Sequence, residues 1–211
     1  MFPPLKIKQN RVWRVYTGGK ILDRFQGKDN PVDDYFPEEW LGSTTEAMNE
    51  GRDVPNEGLS YCLLPGQRAK GDKEVLLKNL IAENPEVFLG KAHLAALGSD
   101  TGYLVKLLDS SVRLPIQSHP DKKFSRKHLS SNYGKTESWI VLETRKIDGE
   151  EPYVLFGFKE GTTKEKFFQY YKEQDVEGMI SCLNKVPAKR GDVFVIPGKL
   201  PHAIGPGLFL L

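Results

Sequence analysis

The sequence predicts a mainly β protein, a small antiparallel barrel or sandwich that carries inserted helices. The first observation is that short apolar runs separated by Gly, Pro, Asn and Asp dominate residues 1–70. The second is the apolar character of "TESWIVLETR" (136–145) and "EPYVLFGF" (151–158), the first of which alternates as a half-buried strand does. Apolar residues recur at helical spacing in only two longer segments, which we therefore expect to be insertions into the β structure.

The amino-terminal part should consist of short strands, a helix and a hairpin. We expect strands at "RVWRVY" (11–16) and "LSYCLL" (59–64), joined by turns. The best helical candidate is 72–90, where an Asn-Pro step interrupts an apolar pattern with helical spacing, formed by Val75, Leu76, Leu77, Leu80 and Ile81. A hairpin is expected over 102–120, because two apolar runs flank an Asp-Ser-Ser turn.

The carboxy-terminal part repeats this mixture of strands and short helices. Residues 121–135 are polar and predicted to be helical, and 162–186 should form two short helices that begin at a Thr cap. Residues 189–211 are expected to form a strand, a turn around Pro197-Gly198 and a final apolar strand. The chain shows no internal repeat and no low-complexity segment.

Composition excludes several classes of function. Thirty basic and twenty-eight acidic residues give a formal charge of +2, too little to indicate a nucleic-acid or membrane partner. No run approaches the ~18 apolar residues of a membrane span, and the amino terminus has no apolar signal core. With only Cys62 and Cys182 and no Cys-x-x-Cys pair, we expect reduced thiols, a cytoplasmic location and no thiolate metal site.

Two polar residues at the end of an apolar run are the first candidates for a site. Gln117 and His119 in "LPIQSHP" (114–120) would share one face of a strand, roughly 7 Å apart, because alternate residues point the same way. They could close on a single ion. They could equally be two polar residues on a solvated face.

Glu137 and His202 would complete a set of donors from three strands. Glu137 lies in "GKTESWIVL" (134–142), and His202 follows a proline-bearing turn in "GDVFVIPGKLPHAIG" (191–205). Two imidazoles, an amide oxygen and a carboxylate suit a borderline divalent ion such as Zn²⁺, or Mn²⁺ or Fe²⁺. Taken singly, however, a histidine is more often a structural hydrogen-bonding residue, and a glutamate at the start of a strand is more often solvated.

At these residues the sequence resembles a known family. "QSHPDKKF" (117–124) with "YGKTESWIVLETR" (133–145) is similar to the signature of the type I phosphomannose isomerases, metal-dependent members of the cupin superfamily. "GDVFVIPGKLPHAIGPG" (191–207) resembles the second metal-binding strand pair of that family. The likeness extends to 11–25, 37–43 and 104–120, so it covers most of the chain in the family's order.

The resemblance implies a fold and a metal site. The fold is the cupin double-stranded β-helix, a jelly-roll barrel, over one catalytic domain of 1–211 with helical insertions near 72–90, 121–135 and 162–186. The implied cofactor is one Zn²⁺ per chain, held by the residues at the family's ligand positions, which are Gln117, His119, Glu137 and His202.

The resemblance also implies a reaction, the interconversion of mannose 6-phosphate and fructose 6-phosphate through an enediol. A proton must move between two adjacent carbons, and the charge that develops on oxygen needs a fixed cation. Lys135, two positions before Glu137, should share its face and donate to a sugar oxygen or to the phosphate. The other interpretation of Lys135 is a solvated turn residue. We expect Trp13 and Trp40 to pack without touching substrate, and Gly134 to serve backbone conformation.

The chain departs from the family pattern at three places. Pro115 stands where the family commonly has a serine, and the turn reads Pro197-Gly198-Lys199 instead of Pro-x-Gly. The sequence stops at Leu211, whereas the family continues into an acidic residue and, further on, an arginine. We therefore expect that a carboxy-terminal part is missing. The alternative function is a metal-binding cupin module that recognises a sugar phosphate but is inactive as a fragment; an iron oxygenase is a third alternative, although it would have little use for a glutamine ligand.

Overall fold

A computed structural model of the chain describes residues 4–64 and 73–211, which contain twelve strands and six helices. The strands are β1 (Lys6–Ile7), β2 (Arg11–Val12), β3 (Glu38–Leu41), β4 (Tyr61–Leu64), β5 (Lys73–Leu76), β6 (Val105–Asp109), β7 (Glu137–Thr144), β8 (Tyr153–Phe158), β9 (Leu183–Pro187), β10 (Val193–Ile196), β11 (His202–Ile204) and β12 (Leu208–Leu210). The helices are α1 (Lys20–Phe25), α2 (Leu77–Glu83), α3 (Pro85–Leu97, interrupted at Gly90), α4 (Lys122–His128), α5 (Lys164–Glu173) and α6 (Val176–Ser181).

The strands form three antiparallel sheets. The largest has the order β10-β7-β12-β6-β3-β2, a second has the order β11-β8-β9, and a small third sheet contains β1, β4 and β5. The main core joins the first two sheets, because Leu108, Val141 and Leu210 of the large sheet pack in one cluster with Val154 and Ile204 of the second. The two sheets therefore face each other across one apolar interior.

The strand register fixes which side chains face that interior. Glu38 pairs with Leu108, Leu108 with Leu210, and Leu210 with Val141, so these four residues form one row across the large sheet. Directly paired residues share a face, and so do alternate residues of one strand. Glu137 lies four residues before Val141 on β7, and residues an even number apart on a strand share a face. Glu137 therefore also faces the interior.

A short helix covers part of the opposite face of the large sheet. Ile21 and Leu22 of α1 pack on Leu107 and Phe209. The buried carboxylate of Asp109 accepts hydrogen bonds from the backbone N–H groups of Ile21 (2.6 Å) and Leu22 (3.2 Å), which ties the first turn of the helix to β6. The sequence predicted only strands and turns in this part of the chain, so α1 is a correction.

Two other predicted elements are wrong in part. Val75 and Leu76 belong to strand β5, paired with β4, and the helix begins only at Leu77. A short apolar run is compatible with both a strand and a helix, and here the pairing with β4 makes it a strand. The predicted hairpin over 102–120 does not form, because after β6 the chain crosses to the second sheet, where Leu114 N–H donates to the Ile204 carbonyl at 2.9 Å.

Most of the remaining predicted elements lie close to their expected positions, although the strand expected over 11–16 is limited to Arg11–Val12 and 189–211 contains three strands instead of two. Strands β7 and β8 occupy the segments 136–145 and 151–158, and α4 lies within 121–135. Within 162–186 the helices α5 and α6 begin at the side-chain caps Thr163 and Asp175, although the segment ends in strand β9. In the described ranges, no helix combines the length and the apolar character that a membrane crossing requires.

Candidate metal centre

His202, the first residue of β11, is buried at 1% exposure with one ring nitrogen aimed into the interior. Its Nδ1 donates a hydrogen bond to the Leu200 carbonyl at 2.8 Å, which leaves Nε2 as the acceptor nitrogen of a neutral ring. Nε2 lies 3.6 Å from Glu137 Oε2 and is a buried polar atom without a hydrogen-bond partner among the described residues. A buried polar atom without a hydrogen-bond partner needs an explanation, and an imidazole nitrogen with a free lone pair is able to bind a metal ion.

His119 and Glu137 meet His202 at this point. His119 Nε2 lies 3.1 Å from Glu137 Oε1, and the two imidazole rings are 4.9 Å apart between centroids. One ligand atom from each of these three residues lies within 4.8 Å of the others. The structure thus brings together three of the four donors that the resemblance implies.

Gln117, the fourth implied ligand, is paired directly with His202. The two residues exchange both backbone hydrogen bonds at 2.9 Å and form an isolated antiparallel bridge. Residues paired in this way have side chains on the same face, with Cβ atoms about 5 Å apart. The Gln117 side chain therefore lies on the same face as the His202 imidazole.

The backbone around His119 is held from two sides. Lys135 N–H donates to the Pro120 carbonyl at 2.9 Å, and Lys199 N–H donates to the His119 carbonyl at 2.6 Å. Gly134 makes the first approach possible, because a Cβ there would lie 2.7 Å from Lys122 N. Gly134 does not have a positive φ, so the prediction that it serves backbone conformation is corrected: it serves close packing of two chain segments.

The charges around Glu137 keep it ionised. Burial alone would raise the pKa of Glu137, but hydrogen bonds from His119 and Lys135 and the Lys135 charge outweigh burial and hold the pKa well below its usual range. Lys135 Nζ lies 2.7 Å from Glu137 Oε1 and 3.1 Å from His119 Nε2, with 54% of its side chain exposed. Burial lowers the pKa of His202, which favours the neutral ring.

These residues fit a borderline divalent ion. Two imidazoles, a carboxylate and an adjacent amide are donor types that a borderline divalent ion such as Zn²⁺ accepts in proteins. The Lys135 ammonium contacts two of the same donors, so it competes with a metal cation for them. The orphaned His202 Nε2 is the observation that favours a metal over a purely structural hydrogen-bond cluster.

The sequence did not single out a second polar group on the interior face. Glu38 is buried at 1% exposure, accepts hydrogen bonds from Tyr16 Oη and from Trp40 Nε1 (2.7 Å), and lies 3.3 Å from Lys106 Nζ through both oxygens. Lys106 alternates with Leu108 and so shares the face of Glu137. The sequence signal that could have identified this group is the position of Lys106, two residues before the core residue Leu108 on the same strand.

The two predicted packing tryptophans differ in their surroundings. Trp40 is buried, while Trp13 stacks on Tyr35 with ring centroids 6.0 Å apart.

Comparisons with known proteins give the same family as the sequence motifs. No family model matches the chain. The chain is 28% identical over 180 residues to "Probable mannose-6-phosphate isomerase GmuF" of Bacillus subtilis, which covers 83% of the chain and 54% of that protein. It is 34% identical over 140 residues to the mannose-6-phosphate isomerase of Streptococcus mutans, which covers 66% of the chain and 40% of that protein. The chain is a relative of the mannose-6-phosphate isomerases.

The fold agrees with this relationship. The crystal structure of the mannose 6-phosphate isomerase from Bacillus subtilis superposes with a TM-score of 0.64 at 22% identity and covers 98% of the chain. The predicted mainly β cupin fold is therefore confirmed. The chain spans about half the length of the curated relatives it matches, and 55% of the Bacillus structure.

Proposed function

We propose that the chain carries the active site of a metal-dependent aldose–ketose isomerase that interconverts mannose 6-phosphate and fructose 6-phosphate through an enediol. The observation that supports this most is the convergence of His119, Glu137 and His202, with ligand atoms within 4.8 Å of one another, in a relative of the mannose-6-phosphate isomerases. The substrate class comes from the names of those relatives.

The proposed cofactor is one Zn²⁺ per chain, held by Gln117, His119, Glu137 and His202. When bound, zinc supplies a Lewis acid that polarises a substrate oxygen. The chain's own contribution is orientation. The Leu200 carbonyl holds the Nδ1 proton of His202, and the bridge to His202 keeps Gln117 at its side.

Lys135 is the proposed contact to a sugar oxygen or to the phosphate. Its ammonium stands at the edge of the donor cluster, half exposed, where it can both reach the ligands and face an incoming substrate. Lys106 offers a second cation on the same interior face, held by Glu38. A sugar phosphate carries the negative charge that two such ammonium groups would attract.

The proposed location is the cytoplasm. The free, buried thiols of Cys62 and Cys182 are compatible with it.

A coupled assay for fructose 6-phosphate tests the proposal. Turnover by the zinc-loaded chain that disappears with a chelator and returns with Zn²⁺ supports the isomerase. Glu137→Gln should remove both metal and turnover, whereas Glu143→Gln, on the same strand in an exposed pair with Arg24, should change neither.

The same assay separates the alternative function. Metal at one equivalent per chain without turnover would indicate the metal-binding module that recognises a sugar phosphate but is inactive as a fragment. The relatives' names favour the isomerase over that module. A chain that binds no metal, even after Zn²⁺ is added, contradicts both the isomerase and the metal-binding module.

A further inference from the structure

The turn between β10 and β11 has an unusual residue in its left-handed position. Leu200 N–H donates to the Pro197 carbonyl at 3.2 Å, which closes a four-residue turn. Its third residue, Lys199, has a φ of 73°. A turn with positive φ at the third position normally has glycine there, because a Cβ is strained in that conformation. This chain has its glycine one position earlier.

Gly198 is needed for a different reason. A Cβ on Gly198 would lie 3.0 Å from Asp121 Cα and 3.1 Å from both Asp121 N and the Pro120 carbonyl oxygen. All three are backbone atoms and cannot move aside cheaply. Gly198 therefore permits the turn to approach the segment that follows His119, and the left-handed position is left to a lysine.

Lys199 makes two contacts to that same segment. Its N–H donates to the His119 carbonyl at 2.6 Å, and its Nζ lies 2.6 Å from Asp121 Oδ2. Asp121 is itself fixed, because its other oxygen accepts a hydrogen bond from Phe124 N–H at 2.7 Å and caps α4. The turn also contacts the second imidazole, since the Leu200 carbonyl accepts from His202 Nδ1.

We propose that Lys199 is a positioning residue for the metal centre: its ion pair with Asp121 stabilises the left-handed turn that sets His119 relative to His202. The ion pair replaces the conformational preference that a glycine would provide at position 199. The inference rests on the proposed metal centre, and it adds a determinant of ligand geometry outside the ligand set.

Zinc affinity of Lys199→Met and Asp121→Asn distinguishes positioning from simple electrostatics. Asparagine keeps the helix cap, so Asp121→Asn removes mainly the charge. Electrostatics alone predicts opposite effects, because losing a positive charge favours a bound cation and losing a negative charge disfavours it. Positioning predicts that both variants bind Zn²⁺ about tenfold more weakly, the usual effect of losing an outer contact of a metal site.

Two further variants sharpen the measurement. Lys8→Met removes an ion pair of the same length, 2.6 Å to Glu74, on an exposed surface, and should leave the zinc affinity unchanged. Adding Lys199→Gly to Asp121→Asn should restore the affinity to within about threefold of the wild type, because glycine adopts a positive φ without strain. A Lys199→Met variant that binds Zn²⁺ as tightly as the wild type, or more tightly, overturns the proposal.

Amide hydrogen exchange of the metal-free chain gives a readout that does not depend on the metal centre. The Lys199 N–H should exchange about tenfold faster in Asp121→Asn than in the wild type or in Lys8→Met, since opening the turn frees this donor. Unchanged exchange contradicts the proposal. A wild-type chain that binds no Zn²⁺ instead contradicts the proposed function, and the exchange rates still decide the role of Lys199.

Discussion

At the scale of single residues, one hydrogen bond determines what His202 can do. Because a carbonyl can only accept, the contact from Nδ1 to Leu200 fixes the proton on that nitrogen and presents the lone pair of Nε2 to the interior. Glu137, which lies next to this ring, stays ionised despite its burial, because hydrogen bonds from His119 and Lys135 lower its pKa. The resemblance supplied these residue identities in advance. It could not supply the tautomer, which depends on a turn that folds over the ring.

Lys135 gives a prediction in which metal affinity and turnover move in opposite directions. Lys135→Met should raise the affinity for Zn²⁺ by about tenfold, because the ammonium repels a cation and occupies two of its donors. The same variant should lower kcat/KM by about 10²-fold through loss of a donor to the substrate. Chelator competition and the coupled assay measure the two effects. Lys135→Arg, which keeps the charge, is the control, and weaker zinc binding by Lys135→Met would contradict the argument.

At the scale of elements, the local sequence pattern predicted where the strands lie better than it predicted which strands pair with each other. Strands β7 and β8 alternate or run apolar over their whole length, so their residues identify them directly. The segment after Ser111 is also largely apolar, but it does not pair with β6. It crosses to the second sheet, and this path depends on distant residues such as Ile204, with which it forms a backbone hydrogen bond. Lys106 and Glu38 were missed for the same reason: the face of a strand is known only once its register is known.

Gly134 gives a prediction about the contact between two loops. Gly134→Ala would place a Cβ 2.7–2.9 Å from backbone atoms of Lys122, Asp121 and Pro120, and should lower the free energy of unfolding by about 1–3 kcal/mol. Urea denaturation measures this loss. Gly161→Ala is the control for crowding, because nothing lies within 4 Å of a Cβ there and only its positive φ is strained. Equal stability of Gly134→Ala and wild type would show that the two segments separate easily.

Glu38 gives a prediction about acid stability. Burial alone would raise its pKa, but the Lys106 and Arg14 charges outweigh burial and lower it. A folded-state pKa below the unfolded one stabilises the protein above the unfolded value, about 4.3, and this stabilisation is lost as the pH falls toward the folded value. Glu38→Gln should therefore cost about 3 kcal/mol at pH 7, by leaving Lys106 and Arg14 without their buried partner. Denaturant titrations at pH 7 and pH 3.5 should show the difference from wild type shrinking in acid; a constant difference would refute the linkage.

At the scale of the whole molecule, the candidate ligands join parts of the chain that are far apart in sequence. Glu137 lies on the large sheet, and His202 begins a strand of the second sheet, so a bound ion would link the two layers across the core. Zn²⁺ at a hundred times its dissociation constant should add about 2.7 kcal/mol to the free energy of unfolding. For a chain of this size that raises Tm by about 5–10 °C.

Thermal unfolding with and without Zn²⁺ measures this stabilisation. A chelator should reverse it, and Mg²⁺, which prefers six oxygen ligands, should not reproduce it. Glu137→Gln serves as the control that keeps the fold but lacks the carboxylate. A Tm shift of the same size in that variant would mean that zinc acts elsewhere on the molecule.

The position of β12 has a consequence for how the chain is made. This strand lies between β6 and β7 in the large sheet, although it follows both of them, and every other described strand, in the order of synthesis. On the ribosome, β6 and β7 therefore emerge with their facing edges open and wait for residues 208–210 before the sheet can close. Unpaired strand edges can associate wrongly with other chains, so we expect the large sheet to be most prone to aggregation before β12 has taken its place.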